Sequence, residues 1–222
     1  VMPCDLAQPS SDQIRNPRPI LTGLPGDAMR HDVATHGPDM RVRGDVIEAI
    51  GTLEPQPGER VIDASGSVVM PGWVNTHHHL FQSLLKGIPA GINEGLMGWL
   101  SAVPVAYRRH FDHDEVMRVA ARLGMVELLL SGCTTVADHQ YHYYPGMPFD
   151  ASAAVFDEAE ALGLRFVLCR GGQTIVRAID VNPPPQVRPE TLEQFFTALE
   201  PDVHRDHQTG PKPMRQGVSA PT

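Results

Sequence analysis

Apolar and polar positions alternate with a period near two in the first third of the chain and near 3.6 in much of the rest. From Pro19, short runs read as strands: Ile20-Leu21-Thr22, Met40-Arg41-Val42-Arg43, Val46-Ile47-Glu48-Ala49-Ile50-Gly51, Arg60-Val61-Ile62-Asp63-Ala64 and Gly66-Ser67-Val68-Val69. Gly, Pro and Asp separate them, the punctuation of β-hairpins. Residues 1–18 carry no readable pattern. The expected first unit, residues 1–69, is part of a small β-sandwich.

Across Val68-Val69-Met70-Pro71-Gly72-Trp73-Val74-Asn75-Thr76-His77-His78-His79-Leu80 an apolar run, broken by Pro-Gly, ends in three histidines. On a strand, His77 and His79 share one face and His78 takes the other. Leu80 to Gly87 suits a helical turn, Gly91 to Gly98 a mobile glycine-rich loop, and Trp99-Leu100 opens an apolar segment halted at Pro104. Asp112, with Glu115 three residues on, is the expected N-cap of a long helix. Val116, Val119, Ala120, Leu123 and Val126 would form its buried face, and Gly132 its stop. Cys133-Thr134-Thr135-Val136-Ala137-Asp138 reads as a buried strand.

The unit then repeats. Asp150 caps a helix with Val155, Phe156, Ala159 and Leu162 on one face, closed by Gly163, and Arg165-Phe166-Val167-Leu168-Cys169 is the next strand. Pro189 suits the first turn of another helix, with Leu192, Phe195, Phe196 and Leu199 apolar and Pro201 ending or kinking it. Gly217-Val218-Ser219-Ala220 is a fourth strand. Strand–helix alternation predicts parallel strands. From Pro71 to Thr222 the chain falls well short of the roughly 250 residues of a complete (β/α)8 barrel. The fold class expected is α/β: the N-terminal half of a TIM barrel over residues 70–222, preceded by the sandwich piece.

Composition narrows the function. The net charge is −8 with no basic stripe, which argues against a nucleic-acid surface. The three cysteines, Cys4, Cys133 and Cys169, form no Cys-x-x-Cys, so neither a zinc ribbon nor a disulfide framework is expected. No apolar run approaches the roughly 18 residues of a membrane span, and no signal-peptide pattern opens the chain. The expected location is cytoplasmic. There is no His-Glu-x-x-His, no cytidine-deaminase-type zinc motif and no glycine-rich phosphate loop after a strand.

Two imidazoles on one face at a strand's end can hold a metal ion, and neutral imidazole suits zinc, iron, copper and nickel. Three adjacent histidines also suit a solvated loop. The string Pro71-Gly72-Trp73-Val74-Asn75-Thr76-His77-His78-His79-Leu80-Phe81-Gln82 resembles the first-strand motif of the amidohydrolase superfamily, Pro-Gly, two apolar residues, Asn or Asp, then His-x-His. It is most similar to the heterocycle-deaminase branch, of the 8-oxoguanine type. The resemblance runs along most of the chain.

That resemblance implies His77 and His79 as ligands of one divalent metal ion, zinc first and ferrous iron as the alternative. Such an ion makes water nucleophilic at neutral pH, and attack on an amine-bearing ring carbon of 8-oxoguanine or a related small heterocycle would release ammonia. Gln82 would contact the ring, its amide offering donor and acceptor to a lactam edge; otherwise it is a helix-surface glutamine. Trp99 is a pocket wall or core packing. His139, after the second barrel strand, is a pocket or loop residue, and Arg170, ending the third, a candidate substrate contact. Tyr141, Tyr143 and Tyr144 line the mouth or cover the barrel.

The family's later histidine ligands, its proton-shuttling glutamate and its aspartate have no counterparts at matching positions here. His204 and His207 do not substitute by position. The expectation is therefore a truncated chain, inactive alone. Two rivals remain. One is a triazine chlorohydrolase or cyclic-amide hydrolase on the same scaffold, although Lys86 and Lys212 are poorly placed for a bridging carboxylated lysine. The other is a non-catalytic half-barrel whose open edges pair with another chain, a second copy included.

Overall fold

The computed structural model describes residues 11–17, 38–172, 186, 188–206 and 215–219. The chain divides into two compact units, Val1–Pro71 and Gly72–Thr222. Among the described residues no helix is long and apolar enough to cross a membrane.

The first unit holds one four-stranded sheet: β1 (Asp12–Arg15), β2 (Asp39–Arg43), β3 (Val46–Gly51) and β4 (Arg60–Asp63), in the order β3-β2-β1-β4. β2 and β3 form the expected hairpin, with Gly44-Asp45 at its turn. β1 lies in the stretch without a readable pattern, and it pairs antiparallel with β2 and parallel with β4. The expected strand over Ile20-Leu21-Thr22 lies outside the described residues. The guanidinium of Arg41 donates to Glu59 at 2.6 Å, and this bond is the largest cause of the Glu59 carboxyl's fall to about 2.

The second unit is a parallel sheet with helical crossovers. Its strands, in the order β5-β6-β7-β8, are β5 (Trp73–His78), β6 (Cys133–Gln140), β7 (Arg165–Arg170) and β8 (Arg215–Ser219). After β5 come a 3-10 helix (Leu80–Leu85), α1 (Leu96–Leu100) and α2 (Asp114–Leu130); α3 (Ala151–Leu162) and α4 (Leu192–Asp206) follow β6 and β7. This is the alternation of a (β/α)8 barrel taken through four strands. Along β6, Val136, Asp138 and Gln140 are buried while Ala137 and His139 are half-buried. Phe166, Leu168 and Arg170 repeat that alternation on β7. The core packs Phe81, Met117, Met125, Phe156 and Phe166 between the helices and the sheet.

Several local expectations are corrected. The strand begins at Trp73, past Pro71-Gly72, rather than at Val68. The glycine-rich stretch is not all loop, since α1 starts at Leu96. Pro104 does not halt the segment: a π-helical turn, Ser101–Val105, runs through it. α2 starts at Asp114 with His113 at its N-cap, so Asp112 is not the cap. Its buried face is Met117, Ala120, Ala121, Gly124 and Met125, whereas Val119 and Leu123 are 47 % and 39 % exposed. The small residues explain the shift. A Cβ on Gly124 would lie 2.8 Å from Leu80 Cδ2, so this face packs closely on the 3-10 helix.

α3 follows its sequence. Asp150 accepts from the Ala153 N–H at 2.9 Å, and Gly163 closes the helix in the left-handed region at φ 69°, where a side chain would be strained. α4 runs on through Pro201 to Asp206 and buries Phe195, while Leu192 and Phe196 stay exposed. Its start lies past Pro189 and is a reciprocal box: Gln194 N–H donates to Thr191 Oγ1 and Thr191 N–H to Gln194 Oε1.

Candidate metal centre and ligand cavity

The end of β5 places the histidines. Gly72 lets the chain pass Thr134, where a Cβ would sit 2.8 Å from Thr134 Cβ. Asn75 Oδ1 accepts the His77 N–H at 3.0 Å. The rings of His77 and His79 meet edge to face, with centroids 4.9 Å apart. The His79 Nδ1–H donates to the His139 carbonyl at 2.7 Å, which leaves Nε2 with its lone pair. Burial is the main cause that holds the His79 pKa below its usual value, so the ring is neutral at pH 7. The 4.9 Å ring spacing suits one ion bound at about 2.0–2.1 Å from each imidazole nitrogen, and the carbonyl that orients His79 is what a metal-ligating histidine needs. The donor set therefore fits zinc or ferrous iron. Among the described residues no group of three His, Cys, Asp or Glu side chains comes together to hold an ion.

His78 lines the same cavity as its two neighbours, and its Nδ1 is buried without a hydrogen-bond partner among the described residues. His139 comes to the centre: its ring lies 4.2 Å from that of His77, and its Nε2–H donates to the Thr76 carbonyl at 3.2 Å. β5 and β6 thus brace each other, His79 bonding to β6 and His139 to β5.

A cavity of about 460 Å³ opens beside the centre, lined by His77, His79, Gln82, Lys86, Ile92 and Trp99. Gln82 Nε2 donates to the Tyr141 hydroxyl at 2.5 Å, so its Oε1 remains as acceptor. The structure therefore brings His77, His79, Gln82 and Trp99 to one cavity, with His139 against His77. Trp99 also packs against the core.

Arg170, expected as a candidate substrate contact, lies away from that cavity. Its Nη2 and Nη1 donate to Glu190 at 2.7 and 3.2 Å, and its guanidinium lies 4.0 Å above the Tyr143 ring. It lines a separate cavity of about 580 Å³ with Ser152 and Asp202. Its charge is engaged inside the fold. His204 lies on α4 without a described side chain, and His207 lies outside the described residues.

Tyr141, read from the sequence as lining the mouth or covering the barrel, lies in this region, and one residue here, Asp138, escaped the sequence reading. Tyr141 bonds Gln82 and presents its ring edge-on to His79, centroids 5.1 Å apart. Asp138 is fully buried, and its Oδ1 accepts the Leu80 N–H at 2.8 Å. Burial pushes its carboxyl up to about 7 against the pull of that N–H. Strand alternation marks Asp138 as helix-facing, and a carboxylate at a helix-facing position was the available signal.

Residues 68–208 match the model of the amidohydrolase family. The chain belongs to the amidohydrolase family. It is 53 % identical over 215 residues to isoxanthopterin deaminase from an unknown prokaryotic organism, covering 97 % of this chain and 44 % of that protein. It is 35 % identical over 199 residues to 8-oxoguanine deaminase of Pseudomonas aeruginosa, covering 89 % and 42 %. Among solved structures, an amidohydrolase from a Sargasso Sea environmental sample superposes with TM-score 0.78 at 49 % identity over 95 % of this chain and 46 % of that one. The atrazine chlorohydrolase of Arthrobacter aurescens, solved with zinc, superposes with TM-score 0.78 at 25 % identity, covering 95 % and 46 %. The chain thus spans under half the length of these relatives, and its second unit is part of the amidohydrolase TIM barrel. The family is generally dependent on a divalent metal.

Proposed function

We propose that this chain supplies the first metal ligands and part of the substrate wall of a hydrolytic deaminase for a fused, lactam-bearing heterocycle of the isoxanthopterin or 8-oxoguanine kind. The observation that carries the reading is the single cavity joining His77 and His79 to Gln82 and Trp99. His77 and His79 would hold one divalent ion, zinc or ferrous iron, which when bound supplies Lewis-acid activation of water. His79, neutral and oriented by the His139 carbonyl, offers Nε2 to it. Gln82, its amide nitrogen held by Tyr141, offers Oε1 to a ring N–H. Trp99 gives a flat apolar wall for the ring.

Catalytic zinc sites typically carry three protein ligands and a water, and the described residues bring two to this centre. We therefore expect binding without ammonia release from the chain alone. The test is titration of the zinc-loaded chain with isoxanthopterin, 8-oxoguanine and a chlorotriazine, followed by Trp99 fluorescence with Trp99→Phe as control. The two lactams should quench Trp99, and Gln82→Ala should weaken both about tenfold, as for loss of one hydrogen bond worth about 1 kcal/mol or more. Stronger binding of the chlorotriazine would favour a chlorohydrolase. Ammonia release by the chain alone would refute the need for further groups.

A further inference from the structure

The pairing of β5 with β6 slips across Thr76 and His77, just before His79. Asn75 stands opposite Val136 and His78 opposite Asp138, so β5 uses one more residue than its neighbour. Such a bulge re-aims the side chains beside it and leaves a backbone group outside the ladder. The chain then turns at His79, with φ −132° and ψ 82°, into the 3-10 helix. The Leu80 N–H, fully buried and past the end of the ladder, needs an acceptor. Asp138 Oδ1 supplies it at 2.8 Å. The next residue of β6 supplies the carbonyl that takes the His79 Nδ1–H. Adjacent residues of one strand therefore fix His79 twice, through the peptide after it and through its ring.

The carboxyl group is a costly choice for this task. It is fully buried, and its Oδ2 has no hydrogen-bond partner among the described residues. A buried acceptor left half-used weighs against stability. Stability alone gives no reason for it, whereas holding one peptide in place beside a bulge does.

We propose that Asp138 is a positioning residue for His79: by accepting the Leu80 N–H it locks the peptide that follows His79, so that His79 keeps its proton on Nδ1 and presents Nε2 toward His77. The affinity part of the inference rests on reading His77 and His79 as metal ligands; the tautomer part stands without it. The task needs an acceptor, and asparagine keeps one.

The test uses the whole chain and the variants Asp138→Ala, Asp138→Asn and His79→Ala, with far-UV circular dichroism as the check of folding. Asp138→Leu, of larger apolar volume and without an acceptor, replaces the alanine variant if that one does not fold. Long-range proton–nitrogen NMR correlations of the metal-free chain read the His79 tautomer, and competition with a chromophoric chelator reads zinc affinity. The chain and Asp138→Asn should show one tautomer, with the proton on Nδ1, and zinc affinities within about threefold of each other. Asp138→Ala should show interconverting tautomers and lose about tenfold or more in zinc affinity, the usual effect of removing a group that orients a ligand. An unchanged tautomer in folded Asp138→Ala overturns the proposal, as does an Asp138→Asn variant as impaired as Asp138→Ala. Unchanged zinc affinity in His79→Ala would sink the ligand reading instead, and the tautomer comparison would still decide the role of Asp138.

Discussion

Replacing Arg170 should unfold the second unit's packing without touching the candidate site. Its side chain and that of Glu190 are 3 % and 8 % exposed, and they meet through two hydrogen bonds. Arg170→Met keeps an apolar stem over Tyr143 and Phe195, both within 5 Å of the guanidinium carbon. It removes the charge and leaves Glu190 buried without its partner. Breaking one side of a buried pair costs about 3–5 kcal/mol. In a chain of this size each kcal/mol lowers Tm by about 2–4 °C, giving a fall of about 6–20 °C. Removing both charges, in Arg170→Met with Glu190→Met, should recover much of the loss, because apolar replacements of a buried pair are often neutral. The recovery should be incomplete, since Asp202 also lies 3.9 Å from Arg170 Nε. Thermal unfolding of the single and double variants closes the cycle. A single variant that loses less than about 1 kcal/mol, or a double variant no more stable than the single, would refute the reasoning. Zinc and heterocycle binding at 25 °C should be unchanged in every variant that remains folded.

Gly124→Val should overpack the contact between α2 and the 3-10 helix, where Leu80 and Ser83 face the glycine. The expected loss is about 1–3 kcal/mol in denaturant unfolding, and heterocycle binding should weaken because the same helix carries Gln82. Glu59 gives a pH signature in the first unit. The Arg41 guanidinium holds its folded carboxyl down to about 2, well below the usual glutamate range. A depressed folded pKa contributes stability that is fully present above the unfolded value and fades as pH falls toward the folded one. The Tm of the chain should therefore fall between pH 5 and pH 2 more steeply than that of Glu59→Gln, and parallel curves would contradict this.

The candidate site was legible where local pattern and chemistry coincide. Alternation on a strand put His77 and His79 on one face, and the Asp150 cap and Gly163 stop follow from backbone needs that those residue types meet. Non-local pairing was not legible. β1 is four residues long, and its parallel partner β4 lies far along the chain, so no local signal marks it. The face of α2 was misplaced because β-branched and large residues were counted as core, while close packing on the 3-10 helix selects Ala120, Ala121 and Gly124. Pro104 was read as a stop and Pro201 as a stop or a kink, yet a π-helical turn accommodates the first and α4 continues through the second. Arg170 was read from its place at a strand end. Its acidic partner, Glu190, stands twenty residues later and shows only in three dimensions.

The most direct test of the account is metal content. The purified chain is loaded with zinc, dialysed against metal-free buffer and assayed by plasma emission beside a His77→Ala, His79→Ala double variant of matched circular dichroism. The account predicts bound zinc close to one ion per chain in the parent and almost none in the double variant. Equal zinc in the two proteins would contradict the assignment of His77 and His79, and with it the metal centre on which the proposed chemistry rests.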